Sequence, residues 1–307
     1  MDINRANMNE LFRGYNMLFQ KGMEMAPHEY QKFCTELSST TAVEVYPFLE
    51  QFGGMREWIG DREIKGVSSQ KLQVANRDFE DTVSVKRNDI EDDKYGLYGH
   101  LIQTMGFNAS QIWGDLAIEA LLGGEDAKWI DDLAFFSDTR KYGDEATIDN
   151  LGSAALSMDA YATARLTMLK YRGHTNRPIK VNPNLLIVGP ANEGMAHDIL
   201  KNSRKITAQV VGEGDNAKVI TGTVDNGYAG TAEILILPEL DKEWFLADTT
   251  KPLKPIIVQK RKAPVLTRLD KEDDENVFMR KEFIYGTDAR GEAFASFPHL
   301  IYGSFPA

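Results

Sequence analysis

The chain has 307 residues, 42% of them hydrophobic and 26% charged, which excludes collagen, coiled-coil arrays and wholesale disorder. At roughly 150 residues per domain it is long enough for about two domains. Its 35 Lys and Arg stand against 46 Asp and Glu, and the formal charge of −11 argues against a dedicated nucleic-acid binder and against adsorption to anionic membranes.

The first 25 residues carry one apolar stripe. Met8, Leu11, Phe12, Tyr15, Leu18 and Phe19 recur at helical spacing, and Asn4 is placed to cap the start. Gly22, Met23 and then Pro27 predict its end. So rich a stripe at a terminus packs either on the protein's own core or on a partner subunit, and the residues alone do not separate the two. Met1–Asn7 lacks the apolar core of a signal peptide, and runs such as Leu185–Val188 and Ile234–Leu237 are too short to span a bilayer, so neither export nor a membrane anchor is predicted. Cys34 is the only cysteine, which rules out an intramolecular disulfide and fits a reducing compartment.

From Gly66 to Lys86 the period becomes two. Leu72 and Val74 alternate with Lys71 and Gln73, and Phe79, Val83 and Val85 alternate with Glu80, Thr82 and Ser84. Ala75-Asn76-Arg77 lies between the two runs as a hairpin turn. A hairpin so charged has too few apolar residues for a core element, so it is expected to project and to pair its edges with another chain. Deleting residues 68–84 is expected to spare the subunit's fold.

Tyr95–Leu122 returns to helical spacing through Tyr98, Leu101, Ile102, Met105, Ala109, Ile112, Trp113, Leu116 and Ala120. Such a helix is roughly 40 Å long. Asp92-Asp93 suit its start, Gly123-Gly124 its end, and Gly106 and Gly114 mark points of bending. After an irregular stretch to about residue 150, a helix is predicted near 153–171 with Leu156, Tyr161, Ala164, Leu166 and Leu169 as its apolar residues. The strand Leu185–Val188 runs through Gly189-Pro190 into a helix over 191–200. Residues 206–237 read as strands joined by Gly-rich turns, and Ile256–Gln259, Val277–Tyr285 and Glu292–Phe297 as short strands. This is an α+β chain without the regular alternation of a doubly wound sheet.

No constellation for chemistry stands out. His28, His100, His174, His197 and His299 have no metal-ligand spacing. The acidic clusters Asp89–Asp93 and Asp270–Glu275 lack the Gly and Glu that a calcium loop needs. Gly212–Ala217 echoes a dinucleotide loop but leads into strand-like residues, so a hairpin turn is the better reading. The Gly189-Pro190 junction resembles ordinary strand-to-helix connections, and Cys34 with His28 lacks an orienting third group. No catalytic residue, metal or cofactor is predicted.

One charge pattern is distinctive. Lys251, Lys254, Lys260, Arg261, Lys262 and Arg268 occur with no acid among them, and Asp270, Glu272, Asp273, Asp274 and Glu275 follow at once. Abutting blocks of opposite sign can be self-complementary between copies of one chain. The plainer alternative is a solvated surface whose charges cancel locally.

With these segments in hand, the sequence resembles the major head (capsid) protein family of Mu-like tailed phages, roughly from Trp58 to Ser304. The matching stretches are Trp58–Ile64, Asp78–Asp93, Trp244–Pro264 and Glu275–Glu282 with Tyr285-Gly286. Their order together is specific, whereas no single one is. Two departures occur: Phe135-Phe136-Ser137-Asp138 lacks the Gly- and His-bearing surroundings usual in the family, and residues 203–231 are longer than the usual connection, as for an added hairpin.

The resemblance implies the HK97-like phage capsid fold. It implies an N-terminal arm at 1–57, an extended E-loop with flanking peripheral-domain strands at 58–94, and a peripheral domain with a long spine helix at 95–150. An axial domain at 151–252 and a return to the peripheral domain at 253–307 complete it. The implied function is a major capsid protein that assembles into hexamers and pentamers of an icosahedral head enclosing double-stranded DNA. Its implied partners are itself, a scaffold protein, a portal and a decoration protein, with DNA enclosed without sequence-specific binding and no membrane. It would be made in the host cytoplasm and reside in the virion. The candidates for inter-subunit contact are Phe12, Phe19, Lys71, Arg77, Asp78, Lys86, Arg87, Lys260, Arg261, Lys262, Asp270, Asp273 and Asp274. The alternatives are an encapsulin-like nanocompartment shell and a tail or baseplate structural protein; an enzyme is the least supported.

Overall fold

The computed structural model describes residues 3–47, 71–92, 95–142, 146–173, 176–211, 218–271 and 273–307. The N-terminal part contains α1 (Arg5–Met25), β1 (Cys34–Ser38), β2 (Val43–Pro47), β3 (Lys71–Ala75), β4 (Arg77–Lys86), α2 (Arg87–Glu91) and α3 (Tyr95–Leu122). The middle contains β5 (Arg140–Tyr142), β6 (Ala146–Ile148), β7 (Leu151–Gly152), α4 (Met158–Leu169), β8 (Leu185–Val188), α5 (Glu193–Leu200), β9 (Arg204–Val211), β10 (Lys218–Asp225), β11 (Glu233–Ile236) and β12 (Trp244–Ala247). The end contains β13 (Ile256–Leu269), α6 (Glu275–Arg280), β14 (Glu282–Ala295) and β15 (Ile301–Ser304).

Two sheets organise these elements. The first has the order β1-β13-β14-β4, with β1 parallel to β13 and the other pairs antiparallel. The second has the order β11-β8-β12-β15-β7. Strands β8 and β12 are buried throughout because apolar residues of both parities are covered. Leu185, Ile187, Phe245 and Ala247 share a core with Trp113, Leu116 and Leu121 of α3. Leu186, Val188, Trp244 and Leu246 share another with Tyr161, Ala164 and Met168 of α4 and Ile199 of α5. The central sheet is thus sandwiched between the long helix and the α4–α5 layer. A continuous apolar run, without alternation, is what such double-sided burial requires.

Helix α1 is capped as its sequence predicts: the Asn4 side chain accepts the Asn7 N–H at 2.9 Å. Its stripe packs on the protein's own core. Met8, Tyr15 and Phe19 join Ile102 and Met105 of α3 and Val85, Phe283 and Tyr285 of the first sheet. Burying a ring such as Phe19 contributes roughly 2 kcal/mol. Helix α4 begins at Ser157, whose hydroxyl accepts the Ala160 N–H at 3.1 Å. Of its predicted apolar residues, Tyr161 and Ala164 are buried, but Leu166 and Leu169 face outward and Met168 takes the inward position.

Two expectations are corrected. Residues 71–86 are not a hairpin: β3 pairs with β2, and β4 pairs with β14 along its whole length. Arg77 begins the second strand and Asn76 separates the two, with its amide donating to Ser39 Oγ and Thr41 O at 2.9 Å each. Because β4 pairs with β14 from Arg77 to Lys86, deleting 68–84 would strip most of the edge strand of a core sheet. Residues 66–70 of the expected hairpin lie outside the described residues. Val277–Tyr285 is not one strand: α6 ends at Arg280, Lys281 adopts φ 56°, and the strand begins at Glu282. β15, a strand the periodicity did not mark, lies in the second sheet beside β12. By contrast, β9 and β10 form an antiparallel pair, in keeping with the added hairpin expected at 203–231.

Candidate assembly surfaces

Four surfaces bear on assembly. The first is the α1–α3 contact. A Cβ on Gly22 would overlap the carbonyl of Gln103, and one on Gly106 would overlap the carbonyl of Phe19. The two helices therefore touch backbone to backbone. Phe19 is wholly buried in this contact, so its ring has no surface left for a neighbouring subunit, which corrects the expectation for it. Phe12 is half-buried under the Arg268 guanidinium, 4.3 Å from its ring centre.

The second is the two-stranded β2–β3 ribbon. Its base is clamped to the first sheet by Gln259, a fully buried amide on β13. Gln259 donates to Asn76 Oδ1 at 2.8 Å and to Val74 O at 3.3 Å, and accepts from the Tyr46 hydroxyl at 2.9 Å. The Tyr46 ring lies 4.8 Å from that of Phe294 on β14. Inside the preceding turn, Glu44 accepts from the N–H groups of Thr40 at 2.6 Å and Thr41 at 2.9 Å. Those two bonds chiefly push its carboxyl pKa down to about 2. Exposed Lys71 opens the ribbon's return strand.

The third is the charged face of the first sheet. Arg77 joins β4 to the long helix and to β14: its guanidinium meets Glu119 at 2.7 Å and Glu292 at 2.6 Å, and both acids hold it charged. Asp78 faces Arg290 at 3.2 Å, Arg87 pairs with Glu91 at 3.0 Å one helical turn on, and Lys86 is exposed at the strand end.

The basic block of β13 and its approach is satisfied within the chain. Lys251 donates to Lys180 O at 2.8 Å, and Lys254 donates to Gln31 O. Lys260 meets Glu36 at 2.8 Å, Arg261 donates to Ser39 O at 3.2 Å, and Lys262 pairs with Asp288. Arg268 pairs with the largely buried Asp270 at 3.1 Å. Burial opposes the ionisation of Glu36, but Lys260, the Tyr30 hydroxyl and Gln31 outweigh it and hold its carboxyl below the usual range. Local cancellation is therefore the reading that fits Lys260, Arg261, Lys262 and Asp270.

The fourth is the tip of the β13–β14 hairpin, which carries α6 where the periodicity predicted a strand. Asn276 locks it by donating to Leu269 O at 3.1 Å and Glu282 O at 2.6 Å. Asp274 accepts the Lys271 N–H at 2.8 Å, and Asp273 is exposed. Phe278 and Met279 stand outward, 80% and 70% exposed. A single buried Val277 anchors the turn, which is why period-two reading of this segment failed.

The residues weighed for chemistry have structural roles. Burial pushes the Cys34 thiol well up, away from the thiolate a nucleophile needs. A Cβ on Gly189 would overlap the Leu240 carbonyl, so this glycine serves close packing. The Phe135-Phe136 pair is buried, and its loop is fixed by Arg140, which donates to Phe135 O at 2.8 Å and Asp131 at 2.7 Å, and by Asn150. Among the described residues no His, Cys, Asp and Glu group is arranged to hold a metal, and no helix is long and apolar enough to cross a membrane. What sequence reading missed are Gln259, Phe278 and Met279. A lone Gln inside an apolar strand, and two adjacent apolar residues inside a charge-rich segment, were the available signals.

The profile of the family described as Mu-like prophage major head subunit gpT matches residues 8–155, 151–240 and 221–306. The Mu-like prophage FluMu major head subunit of Haemophilus influenzae is 27% identical over 300 residues, covering 97% of this chain and 73% of that protein. The major capsid protein of Escherichia phage Mu is 25% identical over 293 residues, covering 95% of this chain and 72% of that protein. Among solved structures, the procapsid of bacteriophage JBD30 matches with a TM-score of 0.64 at 28% identity, over 99% of this chain and 77% of that one.

Proposed function

We propose, from the premise that this chain belongs to the family of Mu-like prophage major head subunits, a division of labour among its parts. The chain is a major capsid protein of the HK97-like fold, and many copies of it form a phage head. The observation that carries this is the family profile running from residue 8 to residue 306 of a chain with a capsid subunit's fold.

Within that role, residues 1–57 act as the N-terminal arm, which α1 fastens to the spine helix α3. The β2–β3 ribbon, within the region to residue 94, serves as the base of the E-loop and leans over a neighbouring subunit. Residues 95–150 with β13 and β14 make the peripheral domain. Residues 151–252 make the axial domain, which meets its copies at the centres of hexamers and pentamers. Rings of this kind form when a heterologous contact closes on itself, and curved rings tile a shell. Each contact can be modest because every subunit makes several.

The work is assembly without catalysis; the buried Cys34 thiol and the packing role of Gly189 support that reading. Outward-facing Lys71, Lys86, Arg87 and Asp273 are retained as subunit contacts, and half-buried Phe12 is retained with them. A scaffold, a portal and a decoration protein complete the head, which encloses double-stranded DNA. The formal charge of −11 suits a wall that does not grip its contents. The subunit is made in the host cytoplasm.

Negative-stain microscopy of the chain produced with its scaffold tests this. Hexamers, pentamers or closed shells are expected. A stable monomer at high concentration with scaffold present would overturn the reading, and tubes would point to a tail protein.

A further inference from the structure

Asn226-Gly227 is the one Asn-Gly step in the sequence, and it lies where β10 leaves its pairing with β9. Asn before Gly is the step at which a chain most readily loses an amide, because glycine leaves the attacking backbone nitrogen unhindered. Here the fold holds that amide in place. Asn226 is 7% exposed, and its side-chain amide donates to Ile199 O and Asn202 O at 2.8 Å each. Its Oδ1 accepts the Tyr228 N–H at 3.0 Å in an Asx turn, and its own N–H donates to Ser203 O at 2.8 Å.

The two acceptors of the amide lie in the last turn of α5 and just beyond it, where carbonyls have no partner within a helix. Gly230 completes the cap by donating to Leu200 O at 2.8 Å. Tyr228 packs on Tyr161 of α4, with ring centres 5.6 Å apart. Residues 226–230 thus close the end of a helix whose Ala196, Ile199 and Leu200 lie in one core with Trp244 and Leu246. Asn226 stands at the centre of this closure and at the base of the β9–β10 hairpin.

We propose that Asn226 is a deamidation site guarded by the native fold, and that its conversion is a one-way mark on subunits whose β9–β10 hairpin has come undocked. In the undocked chain the Gly227 backbone nitrogen bonds to Asn226 Cγ and the Cγ–Nδ2 bond breaks. The amide nitrogen leaves as ammonia, with the proton that Gly227 gives up. Water then opens the succinimide to aspartate or isoaspartate. In the docked chain Nδ2 is buried against two carbonyls and both ends of the amide are hydrogen-bonded, so the ring cannot close until the loop opens. The product does not fit the same seat. A carboxylate has no N–H for Ile199 O and Asn202 O, and it sets negative charge against the negative end of the α5 dipole. One covalent change therefore removes the cap of α5 and loosens the hairpin base together. The inference goes beyond the shell-forming role and does not depend on it.

The test holds the full chain folded and, separately, in urea at mildly alkaline pH, and follows the tryptic peptide of residues 219–242 by mass spectrometry. Asn226 is the one Asn in that peptide, so the mass gain from amide to acid reports this site alone. Conversion in the folded chain should be slower by about tenfold or more, since the loop must open first. Gly227→Ala should slow conversion in urea and leave the folded subunit's melting unchanged, because a Cβ at that site meets nothing within 4 Å. Asn226→Asp, made directly, should show faster hydrogen exchange in α5 and at the paired ends Arg204 and Asp225, while β13 and β14 stay protected. Equal conversion in the folded and unfolded chain would overturn the guarding. Parent-like exchange in Asn226→Asp would overturn the mark.

Discussion

Gly22 of the first helix sits directly against the backbone carbonyl of Gln103 on the long helix, leaving no room for a methyl group. The reciprocal contact, Gly106 against the carbonyl of Phe19, lies beside it. Two helices that meet through backbone cannot absorb a side chain by rotamer change. Gly22→Ala and Gly106→Ala are each expected to destabilise the subunit by about 1–3 kcal/mol, the range for overpacking. Denaturant melts of the dissociated subunit measure this. Gly14→Ala is the control, because its site is open and its expected effect is a slight gain in helix stability.

Replacing Gln259 by Leu keeps the volume of the side chain but removes the clamp under the ribbon. Asn76 and Tyr46 then lose their shared partner. Leaving such groups unpaired in a buried place costs about 1–3 kcal/mol. Hydrogen exchange should rise first in Val43–Pro47 and Lys71–Ala75 while the β13–β14 pair stays protected. Equal deprotection of both would mean that the ribbon and the sheet open as one unit.

Arg77 bridges the ribbon's exit to the long helix and to β14, and its position between Glu119 and Glu292 makes the two pairs testable by a double-mutant cycle. The side chains are partly exposed, so solvent screening limits each coupling to about 1 kcal/mol or less. Coupling should shrink as salt is raised.

His299 is fully buried, and burial, with Lys251 second, pushes its pKa down to about 3 from 6.5. The unfolded chain therefore takes up a proton near pH 6.5 that the folded chain refuses until about pH 3. The contribution to stability is full above pH 6.5 and is lost as the pH falls through that window, at up to about 1.4 kcal/mol per pH unit. Urea midpoints at pH 7.5 and pH 5 should fall more steeply for the parent than for His299→Gln. Parallel curves would mean that His299 is protonated equally in both states.

Cys34 gives a simple probe of the native state. Its thiol is buried and held protonated, so a thiol reagent should leave the folded subunit unmodified and react fully in denaturant. Rapid native labelling would require β1 to open.

Periodicity located the long elements well. Tyr95–Leu122 and Leu185–Val188 have the limits their patterns predict, because a whole stripe or run is buried and each residue adds to the signal. Pairing was not legible. Leu72 and Phe79 alternate properly, yet nothing local says that their strands join different partners, since the partner of β4 lies about 200 residues away. Short elements failed for a related reason. In α6 only Val277 is buried, so six residues offered no stripe to read. The charge blocks were visible in sequence, but their neutralisation was not. Glu36 and Asp288, which satisfy Lys260 and Lys262, come from strands that only the folded sheet brings near.

The position of β1 has a consequence for timing. Among the described residues its strand partner is β13, in parallel register from Cys34 with Ile256, so β1 must wait about 220 residues for its mate. At a translation rate of about 5–20 residues per second, that delay is on the order of ten seconds or more. Strand β4 waits almost as long for β14. The sheet that bears the ribbon is thus completed only after β14 has been made. Until then a growing chain exposes the unpaired edges of β1 and β4.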